Sequence, residues 1–480
     1  MADNIYDLTE SFLSDNVPPG DIKRRLVKKG FMESDIDRAI ERVSAKMRLD
    51  SQTSASKKVK LFAWKEIFDR VGYGFVSHPF LNILFWFSGA SYFLIGLING
   101  LRNVLSLVFS SFLKEFTNVH YLKKNFISRA GIFYGFSFLI LSFAVVLRAP
   151  WLYAIAFLAG SLGVVVHGEL YVKFLKSNLK REKMGGFLSK ISIYGVLITI
   201  VSLLLSGYIM DLFPLSGKTL SLTIFGQAMS LHVYGYLVSF EITALVFILS
   251  GYVLSHIKQE TSSDASMISF VGEFLEKVKV HSKVFLQNKA VLLLVLASLF
   301  TGAVQVLGNS FYGIFIYDSF KNIFLGGFLN VAVIFSIAVI FSFIGPWFTK
   351  SLYRNIGITP MLVFGTLLTA MLPLSLAYNP NIYVVGIATA LSIIGSSILG
   401  VAQGFFTRRL LSVSERKIYF SLMGVIISIP MLLLVLAGSY IASVDLVLLF
   451  KTLILALVVL VAPLYLAVLF MYERTSQKSY

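Results

Sequence analysis

Residues 291–317 read VLLLVLASLFTGAVQVLGNSFYGIFIY, 27 consecutive positions without a charged side chain. As a helix rising 1.5 Å per residue, such a run is about 40 Å long, more than the ~30 Å of a bilayer's hydrocarbon core. Lipid offers the backbone no hydrogen-bond partners, so a spanning segment must satisfy its own amides as an α-helix. Similar runs recur on both sides of this one. Hydrophobic residues make up 56% of the 480 and charged residues 14%, well below the ~25% charge of soluble domains. The expected class is an all-α polytopic membrane protein.

Twelve spans are expected: 80–99, 101–116, 130–146, 151–172, 191–210 and 232–255, then 291–317, 324–348, 358–377, 382–406, 418–441 and 446–472. The first two require a tight turn at Gly100; one long helix there would leave eleven. Basic residues arbitrate. With the N-terminus inside, twelve spans place 23 Lys and Arg on inner loops and four outside, as the positive-inside bias demands. Eleven would invert every later loop. Both termini are then cytoplasmic, in the plasma membrane. No apolar stretch lies near Met1, so the first span acts as the insertion signal.

The flanks divide the chain further. Residues 1–50 read as a small soluble helical domain. A first helix is expected over 5–13, a stop at Val17-Pro18-Pro19-Gly20, a second helix closing at Gly30, and a third capped by Ser34 and running through Met47. Leu8, Ile22, Leu26, Phe31, Ile36, Ile40 and Val43 are its candidate core. Three short helices with Gly30-Phe31 between the last two weakly resemble a ubiquitin-associated-like unit, which implies a docking or stabilising appendage with a cytosolic protein partner. Residues 51–79 read as a linker (Ser51–Ser56) and an amphipathic interfacial helix, with Leu61, Trp64, Phe68 and Val71 on one face and lysines nearby. An N-terminal bundle (80–256), a cytosolic linker (257–286), a C-terminal bundle (287–472) and a cytosolic tail (473–480) complete the division.

Six spans precede the linker and six follow. Gly135, Pro150 and Tyr153 recur 230 residues later as Gly365, Pro380 and Tyr383. The stretch Gly345-Pro-Trp-Phe-Thr-Lys350-Ser-Leu-Tyr-Arg354-Asn-Ile-Gly357, running into Gly365, resembles the short cytosolic turn between the second and third spans of a half in the major facilitator superfamily. The likeness extends over about residues 80–472. It implies two six-helix bundles rocking about a central cavity, with Gly345, Lys350, Arg354 and Gly357 as the gating turn. The family's acidic residue there is not evident. The matching N-half turn, 112–129, lacks the opening glycine and keeps only Lys123, Lys124 and Arg129.

Charge at mid-bilayer is costly enough that each intramembrane polar group needs a reason. Glu241 is either a protonatable cavity carboxylate or a hydrogen-bonded packing residue. His167 and Glu169 suit proton coupling, although Glu169 also has Lys173 one turn away. Arg102, at the supposed first outer turn, is an interfacial anchor or an anion contact. Gln305 and Asn309, one turn apart beside Gly302 and Gly308, line the cavity or join helices; Asn330 is similar. Lys451 is expected to pair with Asp445.

Several classes are excluded or disfavoured. There is no phosphate-loop motif to bind ATP, no cysteine, and no histidine pair at metal-ligand spacing. No enzyme constellation, cofactor or metal is expected. The net charge of +17 follows membrane topology rather than nucleic-acid binding. Two functions remain: a secondary or facilitative transporter moving a small solute or ion, neutral or amphipathic, among membrane lipids; or a transport-inactive scaffold or sensor with a cytosolic interaction head.

Overall fold

The computed structural model describes residues 5–14, 17–119, 124–179, 181–213, 217–224, 227–257, 267–358 and 360–477. Lys123, residues 258–266 of the linker and residues 478–480 of the tail lie outside the described residues. Two compact units divide at Ala63 and Trp64.

The first unit holds α1 (Ile5–Ser14), α2 (Pro19–Lys28) and the start of α3 (Glu33–Phe75). Gly30 takes a φ of +89°, the left-handed conformation that closes a helix without Cβ strain. Ile22, Leu26 and Ile36 form a small core, covered by Leu8, Phe12, Phe31 and Ile40 among others. Asp37 and Glu33 hold the Lys23 ammonium above its usual range, Asp37 more strongly. The expected end of the third helix at Met47 and the linker at Ser51–Ser56 are not found: α3 continues to Phe75. No proline or glycine occurs between Gly30 and Gly72, so nothing in that stretch breaks a helix.

The second unit is a helical bundle. Trp64–Phe75 of α3 packs one face into this bundle, with Lys65 and Asp69 buried and Trp64 and Tyr73 exposed. At Ser77 the chain breaks and restarts as α4 (His78–Phe87), with Pro79 in its first turn. Proline cannot donate to the preceding turn, which favours a restart at that position. The next turn falls at Ser88-Gly89, where Gly89 has a φ of +94°. This corrects the expected turn at Gly100 and the spans 80–99 and 101–116. Helix α5 (Tyr92–Val119) runs unbroken through Gly100. Gly100 serves packing instead: a Cβ there would lie 2.9 Å from Leu432 and 3.1 Å from Val435.

The N-half continues with α6 (Lys124–Val146), α7 (Pro150–Asn178), α8 (Arg181–Leu212) and α9 (Gly235–Ser255). Between α8 and α9 stands a hairpin the sequence reading missed, β1 (Lys218–Ile224) and β2 (Gln227–Val233), antiparallel from Lys218↔Val233 to Ile224↔Gln227. Helix α10 (Met267–Gln287) leads into the second half and packs Phe270 and Phe274 against Phe116 and Leu422. Its Lys277 reaches Glu115 at 3.2 Å. The C-half comprises α11 (Lys289–Phe320), α12 (Gly327–Ile356), α13 (Met361–Thr369), α14 (Met371–Tyr378), α15 (Ile382–Leu410), α16 (Val413–Val444), α17 (Leu446–Leu455), a π-helical turn Ala456–Val461, and α18 (Ala462–Gln477). Ser412 and Glu415 form a capping box at the start of α16, and the Ser412 hydrogen bonds hold the Glu415 carboxyl below its ordinary value. Eleven stretches among the described residues are long and apolar enough to cross a membrane, α13–α14 and α17–α18 each counting as one.

Small residues set the closest helix contacts, as expected where lipid removes the hydrophobic drive between helices. Gly131, Gly135 and Gly251 bring α6 against α9, and Ser128 Oγ donates to the Gly251 carbonyl at 2.7 Å. A Cβ on Gly251 would sit 2.7 Å from the Ser128 carbonyl oxygen. Gly251→Leu is therefore expected to cost at least the ~1–3 kcal/mol of overpacking. Thermal unfolding of purified protein checks this; an unchanged midpoint refutes the close packing. The proposed internal repeat is not symmetric in burial. Tyr153 is fully buried and donates to the Leu81 carbonyl at 2.7 Å, whereas Tyr383 is 67% exposed.

Candidate functional site

Three helices surround a polar cavity of about 220 Å³ in the middle of the bundle. Helix α5 supplies Asn99, Arg102, Asn103 and Ser106; α4 supplies His78; α11 supplies Val306 and Asn309. The α5 residues are spaced i, i+3, i+4 and i+7, so they share one face of that helix. Arg102 is ten residues from the start of α5, about 15 Å along its axis, and thus near mid-bilayer. It is not at an outer turn.

An amide chain organises the wall. Asn99 Nδ2 donates to Asn82 Oδ1 at 2.9 Å and to the Ile95 carbonyl at 3.0 Å. Asn82 Nδ2 donates to the Asn309 carbonyl at 2.8 Å and meets His78 Nδ1 at 3.2 Å. An amide nitrogen only donates, so Nδ1 accepts and the imidazole proton resides on Nε2. The network ties α4 and α5 to α11 across the two halves. Asn99 Oδ1 is buried without a partner. The Arg102 guanidinium stacks over Phe157 at 4.5 Å and meets no carboxylate among the described residues. No Asp or Glu lines the cavity.

A second polar cluster lies inside the N-half. Lys65 Nζ is 2.6 Å from Asp69 Oδ2 and 3.1 Å above the Tyr171 ring. Asp69 also accepts from Ser250 Oγ and faces His167 Nε2 at 3.2 Å. His167 is 1% exposed, its Nδ1 has no partner, and Gly131 leaves room beside it. Among the described residues, Lys65 and Asp69 are the acidic and basic side chains buried this deeply.

The other anticipated residues are dispersed. Glu241 sits on the exposed face of α9 that carries Leu245 and Tyr252, away from the cavity. It is six residues from the helix start, about 9 Å, within reach of the interface. Glu169 binds Lys114 at 3.3 Å and accepts from Ser110 Oγ at 2.8 Å. Lys173, one turn on, donates to the Lys114 carbonyl and Thr117 Oγ1. Asn330 is fully buried and closes the α11–α12 connection, donating to the Phe320 and Ile323 carbonyls and accepting from Leu325 N–H. It is not in the cavity wall. Gln305 shares the exposed face of α11 with Asn309, but only Asn309 reaches the cavity wall. Lys451 stands over Tyr378 at 5.5 Å while Asp445 caps α17, so their expected pair is absent. Gly345 packs α12 onto Ser397 of α15, and Lys350 and Arg354 extend from the exposed end of the same helix. The turn itself begins only at Gly357, whose φ is +73°.

The halves meet mainly where α5 packs on α16, α8 on α12 and α4 on α11. At the hairpin end, Asp211 of α8 accepts from the Phe328 and Leu329 backbone N–H groups at 2.8 and 2.6 Å. An N-half carboxylate thus caps the first turn of a C-half helix, where the dipole favours negative charge.

No family model and no curated protein sequence matches the chain. Solved structures do. The nucleoside transporter NupG aligns with a TM-score of 0.63 at 13% identity, over 87% of this chain and 99% of that one. A bacterial homologue of the iron transporter ferroportin, in an inward-facing state, aligns with a TM-score of 0.59 at 13% identity over 87% and 99%. A bacterial homologue of the human drug peptide transporters aligns with a TM-score of 0.59 at 14% identity over 88% and 99%. Identity this low speaks to fold alone: this chain shares the fold of these transporter structures, as its resemblance to the major facilitator superfamily implied.

Proposed function

We propose that the protein is a secondary or facilitative transporter that carries a small polar solute by alternating access of the central cavity. The cavity carries this reading: a polar chamber with a mid-depth arginine lies between two halves that are joined at the hairpin end through Asp211. Maintaining such a chamber in lipid is expensive unless something polar enters it. Midplane sites between structural repeats are the general design of carriers built this way.

In this proposal Trp64–Phe87, broken at Ser77, is the first of twelve crossings. The hairpin and the α4–α5 turn are then extracytoplasmic, and α10 and both termini are cytoplasmic. The shift of the first crossing leaves the sidedness of every later loop as the basic residues require. Residues 1–63 form a cytosolic head that docks a protein partner. His167, with Lys65, Asp69, Tyr171 and Ser250 around it, is the group placed to couple flux to protons. Purified protein in proteoliposomes, offered radiolabelled small polar and anionic solutes, is expected to show saturable uptake or counterflow of at least one. Folded, correctly inserted protein that moves none of a broad panel overturns the reading and leaves the scaffold alternative.

A further inference from the structure

We propose that the central cavity binds a small organic anion, with Arg102 holding its carboxylate or phosphate. This deepens the transporter reading and rests on it only for the fate of the bound solute.

The residue that points to that chemistry is Arg102. A guanidinium at mid-bundle without a counter-ion is a costly arrangement, since buried charge in membrane proteins is ordinarily paired. Phe157 covers one face of the plane at 4.5 Å, which leaves the N–H edge, the part that binds an oxyanion bidentately. No carboxylate competes for it: the remaining wall is His78, Asn99, Asn103, Ser106, Val306 and Asn309. Of these, Asn103 turns its amide to the Met431 sulfur at 3.0 Å. A positive charge with no acid in the cavity wall favours an anion over a cation or an apolar solute.

Asn99 takes no part in this contact. Its amide nitrogen is committed to Asn82 and Ile95, and its oxygen is fully buried. The volume of about 220 Å³ admits a small solute.

The test uses the full chain in detergent and in proteoliposomes with four probes: lactate, glycerate, propionate and glycerol. Glycerate, lactate and propionate are expected to bind by calorimetry, and glycerol not measurably. Arg102→Gln is expected to weaken glycerate about 10- to 100-fold, and Arg102→Lys to recover part of it, because lysine keeps the charge and loses the fork. The probe comparison needs no variant, so it stands even where a substitution impairs folding. Equal binding of glycerol and glycerate, or glycerate binding unchanged by Arg102→Gln, overturns the proposal. Binding of the anions without flux of any solute sustains this site and defeats the transporter reading. Flux of neutral solutes alone, with no anion bound, does the reverse.

Discussion

Asp69→Ala is expected to lower the stability of the bundle by about 3–5 kcal/mol, the usual effect of removing one partner from a buried ion pair. The Lys65 ammonium is 2% exposed and would keep only the Tyr171 ring beneath it. Ser250 Oγ and His167 Nε2 would lose their shared acceptor at the same time. The double variant Lys65→Met with Asp69→Leu is expected to recover most of the loss, because replacing a buried pair by apolar groups of similar size is often neutral. Thermal unfolding in detergent measures both. Asp69→Ala at parental stability would show that the pair contributes nothing to the fold. The double variant also separates two roles. If it is stable yet uptake loses its pH dependence, the cluster couples protons; if stability and flux both return, the cluster is structural.

How legible this was from sequence depends on the physics behind each feature. Apolar runs such as 291–317 announce their helices, because lipid leaves no other solution for the backbone, and ten of the expected spans overlap observed helices closely. The start of the bundle was obscured by one misplaced break. With a turn assumed at Gly100, Asn99 and Arg102 fell on different elements. The polar stripe 99, 102, 103, 106 could not then be seen as one helix face, although its spacing is plain once α5 is continuous. Likewise Lys65 and Asp69 are an i,i+4 pair in a segment with surface-like composition. Only tertiary packing against α7 and α9 buries them. Glu241 attracted notice for the opposite reason: its place in an apolar run was visible, but which face of α9 it occupies was not. The hairpin between α8 and α9 was missed because seven-residue strands carry a far weaker pattern than a spanning helix. The Asp211 cap, a contact between residues 117 positions apart, has no local signature at all.

That cap supports the second large effect. Asp211→Ala is expected to favour opening of the hairpin end about 10-fold or more. The carboxylate accepts two backbone hydrogen bonds at 2.8 and 2.6 Å, and bonds to a charged group contribute about 1.5–3 kcal/mol. Were that contribution lost only when the halves part, the closed form would lose roughly 10- to 150-fold of its advantage. Nearby, Gly207 lets α8 approach the Phe328 carbonyl and the Ala332 side chain; these contacts remain in the variant and keep the change one of balance rather than collapse. The chain has no cysteine, so Val306→Cys in the cavity wall gives a single reporter. Labelling by an impermeant maleimide from the hairpin side is expected to accelerate about 10-fold in Asp211→Ala, and Asp211→Asn, which keeps a weaker neutral acceptor, to fall between. From the α10 side the rate is expected to drop, since one population grows at the expense of the other. A lower melting temperature with unchanged labelling from both sides would mean that Asp211 caps α12 and does not take part in a gate.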